Sequence, residues 1–168
     1  RFVAEAAQAD DITVLALTWH GAVVPGTEIG IDNQLAEVFG ALERCDNLLQ
    51  EADVPAALRS DMHLVLEELL VNTVEHGYPD GQPGRIRIVL QPQPGAVAIE
   101  LIDDGVAFDP LQSVVPDLTG DLADREQVGG LGIHLARSMS SEMRYTRGAC
   151  GNHLLLRFTY PTLDGSSP

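Results

Sequence analysis

The change of hydrophobic period along the chain constrains its fold more than any other feature of the sequence. Apolar residues recur at helical spacing over positions 33–52, and a second helical stretch begins near Pro55 and runs to about His76. Apolar and polar residues then alternate over 85–91 and 97–102, as in half-buried strands joined by a turn. The pattern predicts two helices that precede an antiparallel pair of strands.

A long segment without periodicity follows these strands. Gly, Asp and Pro are frequent from Asp103 to about Gly130, and such a length in a compact domain is typical of a lid or binding loop. A third helix is predicted over about 132–141. Further strands are predicted over 12–19, 27–31, 143–147 and 153–160.

Composition excludes several classes of partner. The chain of 168 residues has a formal net charge of −15, whereas nucleic acids and anionic membranes are bound by basic surfaces. It contains no apolar run close to the roughly 20 residues that span a bilayer, and we expect no secretory leader, because no basic-then-apolar stretch opens the sequence. Cys45 and Cys150 are too few for a disulfide framework or a thiolate metal site. We expect a cytoplasmic protein with protein and small-ligand partners.

Glu68, Asn72 and His76 follow one another at intervals of four residues in the second predicted helix. Successive members lie about 40° apart around a helix, so they form one polar stripe beside its apolar face. A carboxylate beside an amide suits a general base next to a ligand of Mg²⁺, which prefers oxygen donors. A solvated helix edge would produce the same spacing, and the stripe alone leaves both interpretations open.

Two further motifs contain glycine. Asp-Asp-Gly at 103–105 directly follows an apolar strand, where a carboxylate can accept a hydrogen bond from an amine such as that of adenine. An ordinary Asp-Gly turn would have the same sequence. Gly-Gly-Leu-Gly at 129–132 opens a helix, whose N-terminal N–H groups can bind phosphate oxygens, although such glycines also serve merely as turns.

Taken in order, the three motifs resemble the N, G1 and G2 boxes of the GHKL superfamily, the histidine-kinase-like ATPases. The segments most similar to the anti-sigma-factor serine kinases are Leu-Glu-Glu-Leu-Leu-Val-Asn-Thr-Val-Glu-His-Gly-Tyr (66–78), Phe-Asp-Pro (108–110) and Gly-Gly-Leu-Gly-Ile-His-Leu (129–135). The resemblance covers about residues 27–160. It implies an α/β fold, a two-layer sandwich with helices on one face of a mixed, mainly antiparallel sheet and ATP held between the helices and a lid.

The resemblance also implies roles for individual residues. Glu68 would be the catalytic residue that orients or deprotonates the attacking hydroxyl, and Asn72 would bind the Mg²⁺ that bridges the phosphates of ATP. Asp103 would bind the adenine amine. The other implied nucleotide-binding residues are His76, Gly105, Ala107, Gly130, Leu131 and Gly132.

The activity implied by the resemblance is ATP-dependent phosphorylation of a serine or threonine on an anti-sigma-factor antagonist, a STAS-like protein, in a partner-switching pathway. A sigma factor or an anti-sigma factor is a further implied partner. Homodimers occur in the family, so a second copy of the chain is another. The alternative function is a nucleotide-gated protein-binding module of the anti-sigma type, without kinase activity.

Three departures from the family pattern bear on this alternative. Ala107 replaces the usual third glycine of the G1 box, and its methyl group could weaken nucleotide binding. The predicted lid, residues 110–128, carries four acidic residues and one arginine, an unfavourable field for a triphosphate. Asn152 stands where many members have a threonine that helps to hold the base, so that contact is either supplied by Asn152 or lost.

The beginning of the chain carries a second, short resemblance. Ala-Asp-Asp-Ile-Thr-Val-Leu at 9–15 is similar to the closing segment of PPM-type phosphatases, in which such an aspartate binds a catalytic metal. An exposed Asp-Asp before a strand would have the same sequence. We expect residues 1–22 to be the remnant of a phosphatase domain or a linker, 23–161 to form the ATPase-like domain, and 162–168 to be a disordered tail.

Overall fold

The computed structural model describes residues 26–112 and 131–162 of the chain. The helices are α1 (Leu35–Glu51), α2 (Ala56–His76) and α3 (Leu131–Met139). The strands are β1 (Thr27–Asp32), β2 (Arg85–Gln93), β3 (Ala96–Asp103), β4 (Glu142–Gly148) and β5 (Gly151–Thr159). Short 3₁₀ turns occupy Pro79–Gly81 and Pro110–Gln112. The predicted strand at 12–19, the predicted boundary at residue 22, most of the predicted lid and nearly all of the predicted tail lie outside the described residues.

The described strands form one sheet in the order β1-β2-β3-β5-β4, and each neighbouring pair is antiparallel. Tight turns join β2 to β3 and β4 to β5, and a connection of this length can only produce antiparallel neighbours. Together with the helices, this sheet confirms the predicted α/β architecture.

One face of the sheet carries the hydrophobic core. In β2, Ile86, Ile88 and Leu90 are buried, whereas Arg87 and Val89 between them are partly exposed. Because successive side chains of a strand point to opposite faces, this alternation indicates a sheet with one covered face. The helices contribute their apolar stripes to the same core, chiefly through Val38, Leu42, Leu49, Met62, Leu66 and Leu70.

The two predicted helices lie within a few residues of the observed α1 and α2. Strand β2 extends two residues beyond its predicted end and includes Pro92, which lacks the N–H that a central strand needs. The pairing explains why Pro92 is accepted there. The first residue of β1, Thr27, lies opposite Leu90, and among the described residues Pro92 is paired only with Val97 of β3. Among the described residues, no helix combines the length and the apolar character that crossing a bilayer would require.

We expect Phe158→Ala to lower the free energy of unfolding by about 3–5 kcal/mol, the usual cost of removing a fully buried aromatic ring. Phe158 lies near the end of β5 with 0% of its surface exposed. Phe39→Ala removes the same ring from α1, where it is 60% exposed, and should change stability by no more than about 0.5 kcal/mol. Urea denaturation of both variants is the measurement. An equal loss of stability in the two variants would contradict the placement of the core on this face of the sheet.

Candidate functional site

A cavity of about 390 Å³ lies beside α2 at the end of β3 where Asp103 is located. Its volume falls within the range of about 300–1,000 Å³ that is common for small-molecule sites. The apolar part of its wall includes Leu69, Leu101, Ile133 and Leu154. The polar part includes Asn72, His76, Asp103, Tyr145 and Asn152. An apolar pocket with a few convergent polar groups is suited to a flat, partly polar ligand.

Helix α2 brings the predicted polar stripe to this cavity. Asn72 and His76 line the cavity, and Glu68 lies one turn before Asn72 on the same side of the helix. Glu68 and Asn72 are partly buried, whereas His76 is exposed. Neither the Glu68 carboxylate nor the Asn72 side-chain amide makes a hydrogen bond or ion pair to another described residue. Both groups are therefore available to a ligand.

Glu68 lies against the first described turn of α3. A Cβ built on Gly132 would stand 2.5 Å from Cβ of Glu68 and 2.7 Å from its Oε2. Only a residue without a side chain permits this approach of α3 to α2. A carboxylate beside a helix N-terminus is stabilised by the unpaired N–H groups there. Leu131 begins α3, and Gly130 lies outside the described residues, so its predicted contact with phosphate stays a prediction.

The two aspartates of the Asp-Asp-Gly motif have separate tasks. Asp103, 9% exposed, points to the core face of the sheet, where its Oδ1 accepts hydrogen bonds from the Gly105 N–H at 2.9 Å and Asn152 Nδ2 at 2.8 Å. Oδ1 of Asp104 accepts from the Tyr78 hydroxyl at 3.0 Å and from the Arg85 N–H at 2.9 Å. Asp104 thus fastens the segment after α2 to the start of β2, while Asp103 lines the cavity.

Burial raises the pKa of the Asp103 carboxyl above its ordinary value, because desolvation disfavours the charged form. Hydrogen bonds from Asn152 and Gly105 and the charge of Arg147 oppose this rise, and the charge of Asp104 adds to it. The Oδ2 atom of Asp103 accepts no hydrogen bond from another described residue. The cavity therefore contains an unused carboxylate acceptor.

The loop after β3 is joined to the end of α2 through backbone contacts. The Val106 N–H donates to the carbonyl oxygen of Gly77 at 2.8 Å. A Cβ on Gly105 would stand 2.6 Å from the same oxygen, so the loop can approach this closely only with glycine. Ala107 lines the cavity. Its backbone is unstrained, since among the described residues other than glycine only Asp53 and Asp80 have a positive φ.

Asn152 connects this loop to the last two strands. Its Nδ2 donates to Asp103 Oδ1 and to the carbonyl oxygen of Val106, both at 2.8 Å. Its Oδ1 accepts from the Tyr145 hydroxyl at 2.8 Å, from Arg147 Nη1 at 2.9 Å and from the Phe108 N–H at 3.4 Å. Asn152 therefore acts on the cavity through its neighbours, holding Asp103 and the loop in place.

Sequence reasoning did not single out Tyr145 or Arg147. Strand register aligns Asp103, Asn152 and Arg147 in one row across β3, β5 and β4, with Tyr145 opposite Leu154 in the next row. The predicted strand at 143–147 already placed residues 145 and 147 on one face. The sequence carried no signal for which residues Tyr145 and Arg147 would contact, because the pairing between β4 and β5 decides this.

A family model described as the histidine kinase-like ATPase domain matches residues 31–158. The serine/threonine-protein kinase BtrW of Bordetella bronchiseptica is 36% identical over 101 residues, which are 60% of this chain and 70% of BtrW. The serine-protein kinase RsbW of Listeria innocua is 23% identical over 87 residues, which are 50% of this chain and 55% of RsbW.

The fold is also similar to that of a solved structure. The crystal structure of the RsbU and RsbW domains of a Mycobacterium tuberculosis protein superposes with a TM-score of 0.56 and 20% sequence identity. The match covers 81% of this chain and 32% of that chain, so the present chain spans about a third of the solved one. At this identity the likeness is one of fold alone.

We expect Gly132→Ala to lower the free energy of unfolding by about 1–3 kcal/mol, the usual cost of overpacking. The added methyl group would meet Cβ of Glu68, which is fixed to the backbone of α2 and cannot rotate away. Gly40→Ala in α1 is the matched control, because a Cβ there meets nothing within 4 Å. It should raise stability by up to about 1 kcal/mol through helix propensity. If both variants gained stability in urea denaturation, α3 would not pack against Glu68.

Asp103→Asn should raise the free energy of unfolding at neutral pH. The pKa of Asp103 is raised in the folded state, so its contribution to stability is present below the ordinary aspartate pKa and is lost as pH rises through the raised value. The variant has no charge at this position, so its free energy of unfolding should not fall in this way as pH rises. Urea denaturation from pH 4 to pH 8 measures the difference between the two proteins. A difference that did not grow with pH would contradict the burial of an ionised Asp103.

Proposed function

The chain belongs to the family of histidine kinase-like ATPase domains, and we propose that it is a protein kinase that transfers phosphate from ATP to a serine or threonine of an anti-sigma-factor antagonist in a partner-switching pathway. The observation that carries this proposal is the position of Glu68. Its carboxylate lies one turn from Asn72, beside the start of α3 and next to a cavity that contains Asp103.

Membership of this family implies nucleotide binding, and the cavity offers the groups that a purine nucleotide needs. The apolar side chains Leu69, Leu101 and Leu154 can pack against the faces of the base. Oδ2 of Asp103 is free to accept a hydrogen bond from an exocyclic amine. The phosphates would extend from there towards Asn72 and the start of α3.

The residues beside the cavity also fit Mg²⁺. Among the described residues, no group of three or more His, Cys, Asp or Glu could enclose a metal ion. Mg²⁺ needs no such enclosure, because it is commonly held by one or two protein oxygens, phosphate oxygens and water. The side-chain oxygen of Asn72 is unpaired among described residues and lines the cavity, so it is the protein ligand we propose. Bound Mg²⁺ would neutralise charge on the phosphates.

Glu68 would act on the hydroxyl of the protein substrate. In the proposed step the hydroxyl oxygen bonds to the γ-phosphorus, the bond from that phosphorus to the bridging oxygen breaks, and ADP leaves. The hydroxyl proton passes to the Glu68 carboxylate. Positioning and charge stabilisation supply most of the catalysis in phosphoryl transfer. Glu67 cannot take this role, because it lies on another side of α2, 3.9 Å from the ring of His63.

The names of the relatives support a kinase in particular. BtrW is named as a serine/threonine-protein kinase and RsbW as a serine-protein kinase. The net charge of −15 is compatible with recognition of another protein. A sigma or anti-sigma factor and a second copy of the chain are the further partners we propose.

The alternative function is a nucleotide-gated binding module without kinase activity. Ala107, which replaces a glycine of the family motif, is the residue that favours it. Its unstrained backbone argues that the substitution is accommodated locally, since no positive φ is required at this position. The presence of Glu68, which a pure binding module does not need, favours the kinase.

We expect Glu68→Gln to lower kcat for phosphate transfer by about 10²–10⁴-fold, the usual contribution of a positioned acid or base. ATP affinity should be unchanged, because the amide occupies the same space. Glu67→Gln is the matched control: the neighbouring residue of the same helix, with the same change, should retain full activity. The measurement is transfer of ³²P from γ-labelled Mg·ATP to a candidate STAS-like antagonist, with ATP affinity from calorimetry.

Asn72→Ala tests the metal in the same experiment. Wild-type protein should bind ATP more tightly with Mg²⁺ than with a chelator, and the variant should lose that difference. Binding of ATP without transfer in the wild type would support the nucleotide-gated module instead of the kinase. Wild-type protein that bound no ATP would refute both proposals.

A further inference from the structure

The polar end of the cavity contains a hydrogen-bond network whose partners determine the orientation of one side chain. Oδ1 of Asn152 accepts from the Tyr145 hydroxyl at 2.8 Å and from Arg147 Nη1 at 2.9 Å. Its Nδ2 donates to Oδ1 of Asp103 at 2.8 Å. Reversing the amide would set its NH₂ group against these donors and its oxygen against a carboxylate. Only one orientation of Asn152 is therefore compatible with its surroundings.

This orientation fixes the hydroxyl proton of Tyr145. Because Oδ1 of Asn152 can only accept, the single proton of Tyr145 is directed to it. Both protons on Asn152 Nδ2 are also engaged, one by Asp103 and one by the Val106 carbonyl oxygen. Towards the cavity, the Tyr145 oxygen therefore offers lone pairs only, and Asn152 offers no free donor.

Neighbouring groups extend this pattern. Oδ2 of Asp103 accepts no hydrogen bond from another described residue and so provides a second acceptor. The Thr73 hydroxyl, which also lines the cavity, donates its proton to the Leu69 carbonyl oxygen at 2.8 Å. Around Asp103, the cavity wall therefore presents acceptors. Oδ2 of Asp103 is unpaired among the described residues, and the protons of the Tyr145 and Thr73 hydroxyls are already engaged.

We propose that Tyr145 is a specificity-determining residue of the nucleotide site, and that its hydroxyl and Asp103 form a pair of acceptors that selects a purine with a 6-amino group. The inference rests on the proposed nucleotide binding. A 6-amino group has two protons, one for each acceptor. The 6-oxo group of guanine or hypoxanthine would instead set a third acceptor against them, and an unpaired buried polar group is strongly disfavoured.

Tyr145→Phe tests the inference, because it removes the acceptor and keeps the ring. Asn152 retains its hydrogen bond from Arg147 in this variant. Calorimetry compares Mg²⁺ complexes of two nucleotides: ATP, and the triphosphate of purine riboside, which lacks the 6-amino group. We expect the variant to bind ATP roughly three- to tenfold more weakly, as for loss of one hydrogen bond. Its affinity for purine riboside triphosphate should equal that of the wild type.

Two further variants separate recognition from positioning. Arg147→Met removes the hydrogen bonds of Nη1 to Asn152 and to the Gly105 carbonyl oxygen, and should weaken both nucleotides by the same factor. Arg144→Met changes an arginine on the opposite face of β4, where it pairs with Glu142 at 2.5 Å, and should affect neither. Wild-type protein should also bind inosine triphosphate, with its 6-oxo group, more weakly than ATP.

The results separate a failure of this inference from a failure of the proposed function. An equal loss of affinity for both nucleotides in Tyr145→Phe would show a purely structural role and overturn the inference. An unchanged ATP affinity in that variant would overturn it as well. Wild-type protein that bound neither nucleotide would refute the proposed function itself, whatever the variants did.

Discussion

The buried hydrogen bond between Asp103 and Asn152 is the interaction on which the site depends. Both side chains lie on the core face of the sheet, in the row that ends an otherwise apolar surface, and they are 9% and 7% exposed. A buried carboxylate is costly unless it is paired and hydrogen-bonded. Asn152 and the Gly105 N–H meet this requirement with one oxygen of Asp103, and the other accepts no hydrogen bond from a described residue.

The same asparagine holds together segments that are distant in sequence. It joins β5 to the end of β3 through Asp103, to the following loop through Val106, and to β4 through Tyr145 and Arg147. On the other side, the Gly77 carbonyl fastens this loop to the end of α2. The cavity is thus bounded by elements whose relative positions are set by a few buried polar contacts, while the apolar core beneath supplies most of the stability.

Only some of the side chains at the site are held in place by hydrogen bonds to other residues. The side chains of Glu68 and Asn72, proposed for catalysis and metal binding, make no hydrogen bond to another described residue, whereas the groups around the proposed base pocket are extensively bonded. Binding of a flat base demands a preformed surface. A substrate hydroxyl and a metal ion would bind to side chains that are not already paired.

The sequence by itself determined the two helices before the sheet, the antiparallel pair of β2 and β3, the one-faced core and the α2 stripe, because these follow from local periodicity and from the regular 3.6 and 2.0 repeats of helix and strand. It also singled out Asp103 as a candidate site residue, through its place directly after a predicted strand, and Asp103 does line the cavity. Tertiary structure alone decided that Asn152, Tyr145 and Arg147 meet around Asp103, since the register between β3, β5 and β4 depends on long-range pairing that no local pattern encodes. The approach of Gly132 to Glu68 was likewise invisible in the sequence, because it arises only when α3 packs against α2.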